Sequence, residues 1–230
     1  MADGEEEGAQ QYIFKTADGE TRKEGSRHYT GKATACYPNG DLYEGGFKEG
    51  IRHGQGTYMY ASGEKYSGEW VDNHKHGLGT MTYNGKGEYQ GYWENDRRHG
   101  EGVFKYPSGD SYSGWWRFGQ KEGAGIYHSA ATGQNLSGSW KENQLSEGKW
   151  ELANGNFYSG MFKDNNPLER GAWHFTNGNE QHGRYLQREA KPADEVEPEE
   201  DGTVAKPKVE LQWVADKNVV ASALAMKRNC

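Results

Sequence analysis

Six short segments of one pattern recur along the chain: YEGGF at 43–47, YSGEW at 66–70, YQGYW at 89–93, YSGWW at 112–116, LSGSW at 136–140 and YSGMF at 158–162. Their first residues are 23, 23, 23, 24 and 22 positions apart. At a fixed distance after each of the first four stands a Gly-x-Gly: Gly54/Gly56, Gly77/Gly79, Gly100/Gly102 and Gly123/Gly125. The last two copies keep one glycine, Gly148 and Gly171, with Ser146 and Glu169 at the first place. Turn signals close most units, among them PNG (38–40), ASG (61–63), PSG (107–109), ANG (153–155) and TNG (176–178). A period in the range of 20–50 residues means one supersecondary unit stacked on copies of itself.

Inside a unit the alternation has period two, so the unit reads as a β-hairpin. Tyr43, Gly45 and Phe47 share one face, and Gly56, Tyr58 and Tyr60 continue it on the returning strand. The turns are expected around 49–53 and 62–64. Glycine weakens a strand unless a neighbouring ring covers it, and the aromatic residues supply that cover. Stacked hairpins predict an all-β fold: a single elongated, twisted antiparallel sheet in which each unit touches its neighbours. At about 4.8 Å per strand, some seven units would extend roughly 65–70 Å.

Composition agrees with a thin sheet and excludes a thick core. Leu, Ile, Val and Phe together number 27 of 230 residues, a share that would suggest disorder, yet aromatic residues make up 13 % and glycines number 34. The net charge of −7 is local: residues 1–10 carry −4 and 189–201 carry −6, which leaves +3 for the remainder. Neither a nucleic-acid surface nor a strongly basic membrane face is implied. No apolar run approaches the length of a membrane helix, and the acidic start has no secretory h-region. Cys36 and Cys230 form no disulfide framework and read as incidental thiols in a reducing compartment. Cys230 is the last residue here, so it cannot be the cysteine of a prenylation box.

Tyr-x-Gly-x-Trp, a polar turn and His-Gly-x-Gly resemble the MORN repeat over roughly residues 20–187. The first unit is degenerate, with Tyr29-Thr30-Gly31 and Ala33 where Gly-x-Gly would stand, and Tyr12 to Glu24 is expected to add an irregular hairpin. Atypical end units suit a sheet whose edge is otherwise exposed. The run YPNGDLYEGGFKEGIRHGQGTYMYASGEKYSGEW, then Asn165-Asn166-Pro167 and Glu180-Gln181-His182-Gly183-Arg184-Tyr185, is similar to the radial spoke head protein 1 family and its close paralogue, radial spoke protein 10. The resemblance implies a cytoplasmic place in the axoneme of a cilium or flagellum, within the radial spoke head and facing central-pair projections. The implied partners are spoke-head subunits of the 4/6 type and the 9 type, with two copies per head. Leu136 for Tyr, and Ser146 and Glu169 for Gly, depart from the pattern and predict irregularity in the sheet there.

Catalytic signatures are missing from the sequence. His53, His76 and His99 recur just before Gly, with Glu122 next in the series. Equivalent positions would lie about 10 Å apart, too far to share one metal ion, so these are read as turn histidines. His74-Lys75-His76 has no Cys or acidic set around it. No phosphate loop, nucleophile elbow or zincin motif occurs. A thin sheet offers no pocket to tune carboxylates, and the roughly 40 residues beyond the repeats are too few for a catalytic domain. The expectation is therefore no enzyme, no cofactor and no metal.

One face is expected to present a column of rings: Tyr43, Phe47, Tyr66, Trp70, Tyr89, Trp93, Tyr112, Trp116, Trp140, Tyr158 and Phe162. These stiffen the sheet, and ring surface left uncovered would form a groove for a partner. Four regions follow: an acidic disordered N-terminus at 1–11, the ribbon at 12–188, an acidic Pro-containing linker at 189–208 and an apolar docking tail at 209–230. In the tail, 209–213 alternates as a strand, and Asp216 caps a short helix ending at Lys227-Arg228. Leu211, Trp213, Val219, Val220, Leu224 and Met226 are its contact residues, docking onto a neighbour being favoured over a clip onto the ribbon. The expected function is a non-catalytic structural subunit of the spoke head. The rival is a phospholipid-binding, membrane-tethering module, drawing on Lys48, Arg52, Lys75, Arg97, Arg98 and Lys121 near the turns. A third reading, a regulatory piece of a larger enzyme, would need a catalytic partner.

Overall fold

The computed structural model describes residues 11–189 and 209–221, with side chains for 11–188 and 210–216. The described residues contain sixteen strands and no helix, and strand order is chain order without a crossover. Contacts divide the chain into two units, Met1–Glu122 and Gly123–Cys230.

The first unit is an antiparallel meander of β1 (Ile13–Thr16), β2 (Gly31–Cys36), β3 (Leu42–Lys48), β4 (Ile51–Met59), β5 (Lys65–Val71), β6 (His74–Tyr83), β7 (Gly87–Glu94), β8 (Arg97–Lys105) and β9 (Ser111–Arg117). The expected irregular first hairpin is present: β1 bridges to Thr21 through Lys15 and then pairs with β2. Ala33 stands in place of the second glycine and Ala35 in place of the following ring; Ala35 pairs with Phe14, which is fully buried against Phe47 with ring centroids 5.0 Å apart.

Strand β10 (Gln120–Ser129) crosses the division. The second unit continues with β11 (Gln134–Lys141), β12 (Gln144–Glu151), β13 (Phe157–Lys163), β14 (Asn166–His174), β15 (Asn179–Glu189) and β16 (Val209–Ala221), each antiparallel to the one before. The tail is extended as far as Ala221, where a helix capped by Asp216 was expected to begin: 209–215 and 219–221 pair with β15, and 216–218 stand in a register shift opposite His182. Trp213 packs on Tyr185 at 5.0 Å and covers Gly183. Residues 222–230, including Leu224 and Met226, lie outside the described residues, as do 1–10 and 190–208.

The core is a single layer of rings lying flat on glycine. Tyr43 reaches across the paired Gly45 and Gly56, and its hydroxyl donates to the Gly46 carbonyl at 3.0 Å. Tyr66 and Tyr89 repeat the arrangement over Gly68/Gly79 and Gly91/Gly102, donating to Glu69 and Tyr92 carbonyls at 3.0 and 2.9 Å. A side chain on either glycine would occupy the ring's place: a Cβ at Gly79 would lie 2.6 Å from two Tyr66 ring carbons. Trp70, Trp93 and Trp116 lie beside them and donate their indole N–H to Gly56, Gly79 and Gly102 carbonyls at 3.2 Å. Tyr66, Tyr89 and Tyr112 each meet the Trp of the same strand edge-on at 5.2 Å, and Tyr66 and Tyr89 meet the next Trp at 5.3 Å. Such edge contacts suit ring quadrupoles.

Strict alternation breaks once per hairpin. Register shifts fall between Gly45/Phe47, Gly68/Glu69 and Gly91/Trp93, where the returning strand carries two extra residues. The first glycine of Gly-x-Gly occupies this bulge with φ of 73°, 54° and 59° at Gly54, Gly77 and Gly100. The predicted irregularity later in the chain is real. Glu169 holds the same left-handed position at 57°, whereas at Ser146 the bulge shrinks to one extra residue.

Candidate interaction surface

The inner hairpin turns are two-residue turns with positive φ at both positions, as at Asp72-Asn73, Asn95-Asp96 and Asp164-Asn165. The turn after β3 is therefore Glu49-Gly50, narrower than expected. Each turn is tied to the hairpin before it. Asp96 N–H donates to the Lys75 carbonyl at 3.1 Å while Lys75 N–H donates to Asp96 Oδ1 at 2.9 Å. Asn165 accepts from Leu145 N–H at 2.8 Å. Where the turn residue is Gly119, the Arg98 guanidinium donates to its carbonyl at 2.7 Å instead.

The eleven rings expected to meet a partner are core. Tyr43, Tyr66, Tyr89, Tyr112 and Tyr158 are fully enclosed, and Phe47, Trp70, Trp93, Trp116, Trp140 and Phe162 are no more than 5 % exposed. Neighbouring units and a second layer of side chains cover them. Burial pushes their phenols up, well above the ordinary range for Tyr43, Tyr66, Tyr89 and Tyr112, and to about 12 for Tyr158.

The second layer is what this face presents. Tyr37, Tyr60, Tyr83 and Tyr106 are 23 residues apart and half-buried, and so are Arg52, Lys75, Arg98 and Lys121. The Arg52 guanidinium lies 4.5 Å over the Trp70 ring and Arg98 lies 4.3 Å over Trp116. The Lys75 ammonium is 5.2 Å over Trp93 and 3.4 Å from the Tyr60 hydroxyl; Lys121 is 4.9 Å over Tyr112 and 5.5 Å over Tyr106. Burial lowers both lysines, Lys121 to about 8. Four of the six cations in the expected basic stripe thus rest on rings.

The opposite face carries an unpredicted feature. Leu78, Tyr92 and Trp115 are 52 %, 48 % and 49 % exposed. Leu78 pairs directly with Tyr92, and Trp115 with Glu101 on the next pair of strands, so the three stand in one row. Their signal in the sequence is a large apolar residue between the two glycines of Gly-x-Gly, or between the glycine and the tryptophan, where Gln55, Glu101 and Glu69 stand in neighbouring hairpins.

The recurring histidines read as turn residues lie within strands instead, His53 in β4, His76 in β6 and His99 in β8, each three residues past its turn. His74 Nδ1 is 2.6 Å from Asp96 Oδ2, His99 Nδ1 is 3.2 Å from Glu94 and His53 Nδ1 is 3.7 Å from Asp72. Among the described residues no three His, Cys, Asp or Glu side chains are placed to hold one metal ion. Leu211 helps to line a shallow cleft of about 300 Å³ with Leu136, Trp150 and Pro167. Trp213 is half-buried, and the side chains of Val219 and Val220 lie outside the description.

A glycine-paved sheet built of near-identical hairpins defines a β-hairpin repeat protein. Four segments, residues 43–65, 66–87, 89–111 and 112–131, are MORN repeats. The hairpins beyond residue 131 lie outside that match. Comparison with curated proteins gives no match. Among solved structures the chain is similar to the TCP domain of SAS-4 from Drosophila melanogaster, in complex with a proline-rich motif of Ana2. The identity is 15 %, over 66 % of this chain and 83 % of that one, with a TM-score of 0.43. It is also similar to the TCP10 domain of CPAP from Danio rerio with a peptide of STIL, at 12 % identity over 81 % of each chain and a TM-score of 0.38. Nothing about function follows from likeness at this level.

Proposed function

We propose that this chain is a non-catalytic interaction scaffold and, on the sequence resemblance, a structural subunit of the radial spoke head in a ciliary or flagellar axoneme. The observation that carries the scaffold reading is the exposed row Leu78, Tyr92 and Trp115 on the face opposite the enclosed ring layer. Three large apolar side chains in line are surface a partner would cover. The ties between successive turns and the flat ring layer support a stiff unit suited to holding neighbours and passing contact from the central apparatus towards dynein control. The 4/6-type and 9-type subunits are the partners this reading assigns.

Affinity purification from isolated axonemes tests it. Recovery of spoke-head subunits with the intact chain, reduced with Tyr92→Thr/Trp115→Thr, is expected; recovery of none would defeat it. The membrane-tethering alternative draws less support, because Arg52, Lys75, Arg98 and Lys121 rest on rings rather than projecting freely. Co-sedimentation of the full chain with anionic vesicles, if strong and salt-sensitive, would revive it.

A further inference from the structure

We propose that the alternating tyrosines and cations of the ring face form a docking track for a partner's acidic, proline-containing segment in polyproline II conformation. The segment crosses the strands and carries a carboxylate at every third residue. This deepens the scaffold reading by giving one partner surface its chemistry.

Two repeat lengths nearly coincide. Arg52, Lys75, Arg98 and Lys121 occupy the same place in successive hairpins of the first unit, two strands apart. Two strand spacings are about 9.6 Å. A polyproline II helix rises about 3.1 Å per residue with three residues per turn, so residues i, i+3 and i+6 share one face about 9.3 Å apart. The extended partner and the track therefore stay in step over four cations. A fully extended β-strand would place its third residue on the opposite face and lose every second contact.

The chemistry matches the spacing. Among the described residues, Arg52, Lys75 and Arg98 have no carboxylate within 4 Å. The arginines already donate to backbone: Arg52 to Asn73 and Arg98 to Gly119. The nearby acids are engaged elsewhere. Asp41 accepts from the Tyr58 hydroxyl at 2.6 Å and Ala61 N–H at 2.8 Å, and Asp96 is bound by His74 and Lys75 N–H. Burial of the Lys75 ammonium leaves charge that an arriving carboxylate would satisfy. Tyr37, Tyr60, Tyr83 and Tyr106 flank the cations with half-buried ring surface, on which proline rings pack without losing conformational freedom.

The test uses the full chain and two labelled twelve-residue peptides of one composition. One is four Glu-Pro-Pro triplets; the other is Glu-Glu-Pro-Pro-Pro-Pro repeated twice. Fluorescence anisotropy should show the evenly spaced peptide binding about tenfold tighter, with affinity falling as salt rises. Lys75→Gln/Lys121→Gln should lose about tenfold, and Lys75→Arg should keep binding, with circular dichroism unchanged and melting no lower in each. Equal affinity for the two peptides, or no loss in the double variant, would overturn the proposal. So would phosphatidylserine vesicles binding through the same lysines when neither peptide binds, which assigns the row to a membrane. Evenly spaced peptide binding only after the acids at 194–201 are changed to amides would assign the row to the chain's own acidic segment. Failure of the peptides with spoke-head recovery intact removes this proposal and leaves the scaffold reading standing.

Discussion

Asn73 and Arg52, 21 residues apart, are joined by four hydrogen bonds between successive hairpins. Asn73 N–H donates to the Arg52 carbonyl at 3.0 Å, and Arg52 N–H donates to Asn73 Oδ1 at 2.9 Å. The guanidinium adds Nε to Asn73 Oδ1 at 3.2 Å and a bond to the Asn73 carbonyl at 3.0 Å, then lies over Trp70 at 4.5 Å. One residue thus closes its own turn and fastens it to the previous unit.

Asn73→Ala removes that acceptor and also strains a left-handed φ of 69°. A loss of about 2 kcal/mol is expected, and Asn73→Gly, which relieves the strain, should lose about 1. Urea unfolding followed by tryptophan fluorescence measures both. If the glycine variant matches the parent, the side-chain tie contributes nothing.

The two glycines of Gly-x-Gly should differ in their reasons for being glycine. Gly79→Ala forces the Tyr66 ring off its seat and is expected to cost about 3 kcal/mol. Gly54→Ala enters open space and meets only the backbone strain of φ 73°, about 1 kcal/mol. Equal costs would show that ring cover is not what selects the second glycine.

Glu169 carries the strain that glycine avoids in the equivalent bulges, at φ 57°. Glu169→Gly should therefore stabilise the second unit by about 1 kcal/mol, read from the same denaturation. A destabilised variant would mean that the carboxylate makes a compensating contact.

Alkaline pH should act through the enclosed phenols. Their folded-state values are raised above the unfolded value, so their contribution is complete below about pH 10 and is lost as pH rises through the folded values. Absorbance at 295 nm should show Tyr43, Tyr66, Tyr89 and Tyr112 ionising only with unfolding. Lys121 has the opposite sign: its value falls to about 8, so stability gains as pH rises from there towards the unfolded value. Lys121→Met should accordingly gain most near pH 7 and little near pH 10.5.

Trp213 seats β16 by covering Gly183 and stacking on Tyr185. Trp213→Ala should cost about 3 kcal/mol in the second unit. Truncation at Lys206 should expose the β15 edge and promote self-association in analytical ultracentrifugation. A truncated chain that stays monomeric and equally stable would show that the clip is dispensable.

The hairpins, the ring column and the glycine pairs were legible in the sequence because they repeat every 23 residues, and period two assigns each residue a face. The repeat alone therefore determined an antiparallel β fold and named Tyr43 and Trp70 as ring-layer residues. It did not show that these rings are enclosed. That depends on Tyr43 lying flat across Gly45/Gly56 and on Arg52 closing over Trp70, which bring residues 13 and 18 positions apart into contact. Nor could alternation show the bulge at Gly54, since two extra residues preserve the face pattern on both sides of it. The tail pairing was not legible for a related reason: 216–221 has local helix signals, and only the edge of β15 supplies the backbone partners that 209–215 and 219–221 take. Local pattern decided which residues could be core; only the tertiary structure decided which rings were left at the surface, because exposure depends on what the neighbouring hairpin lays over them.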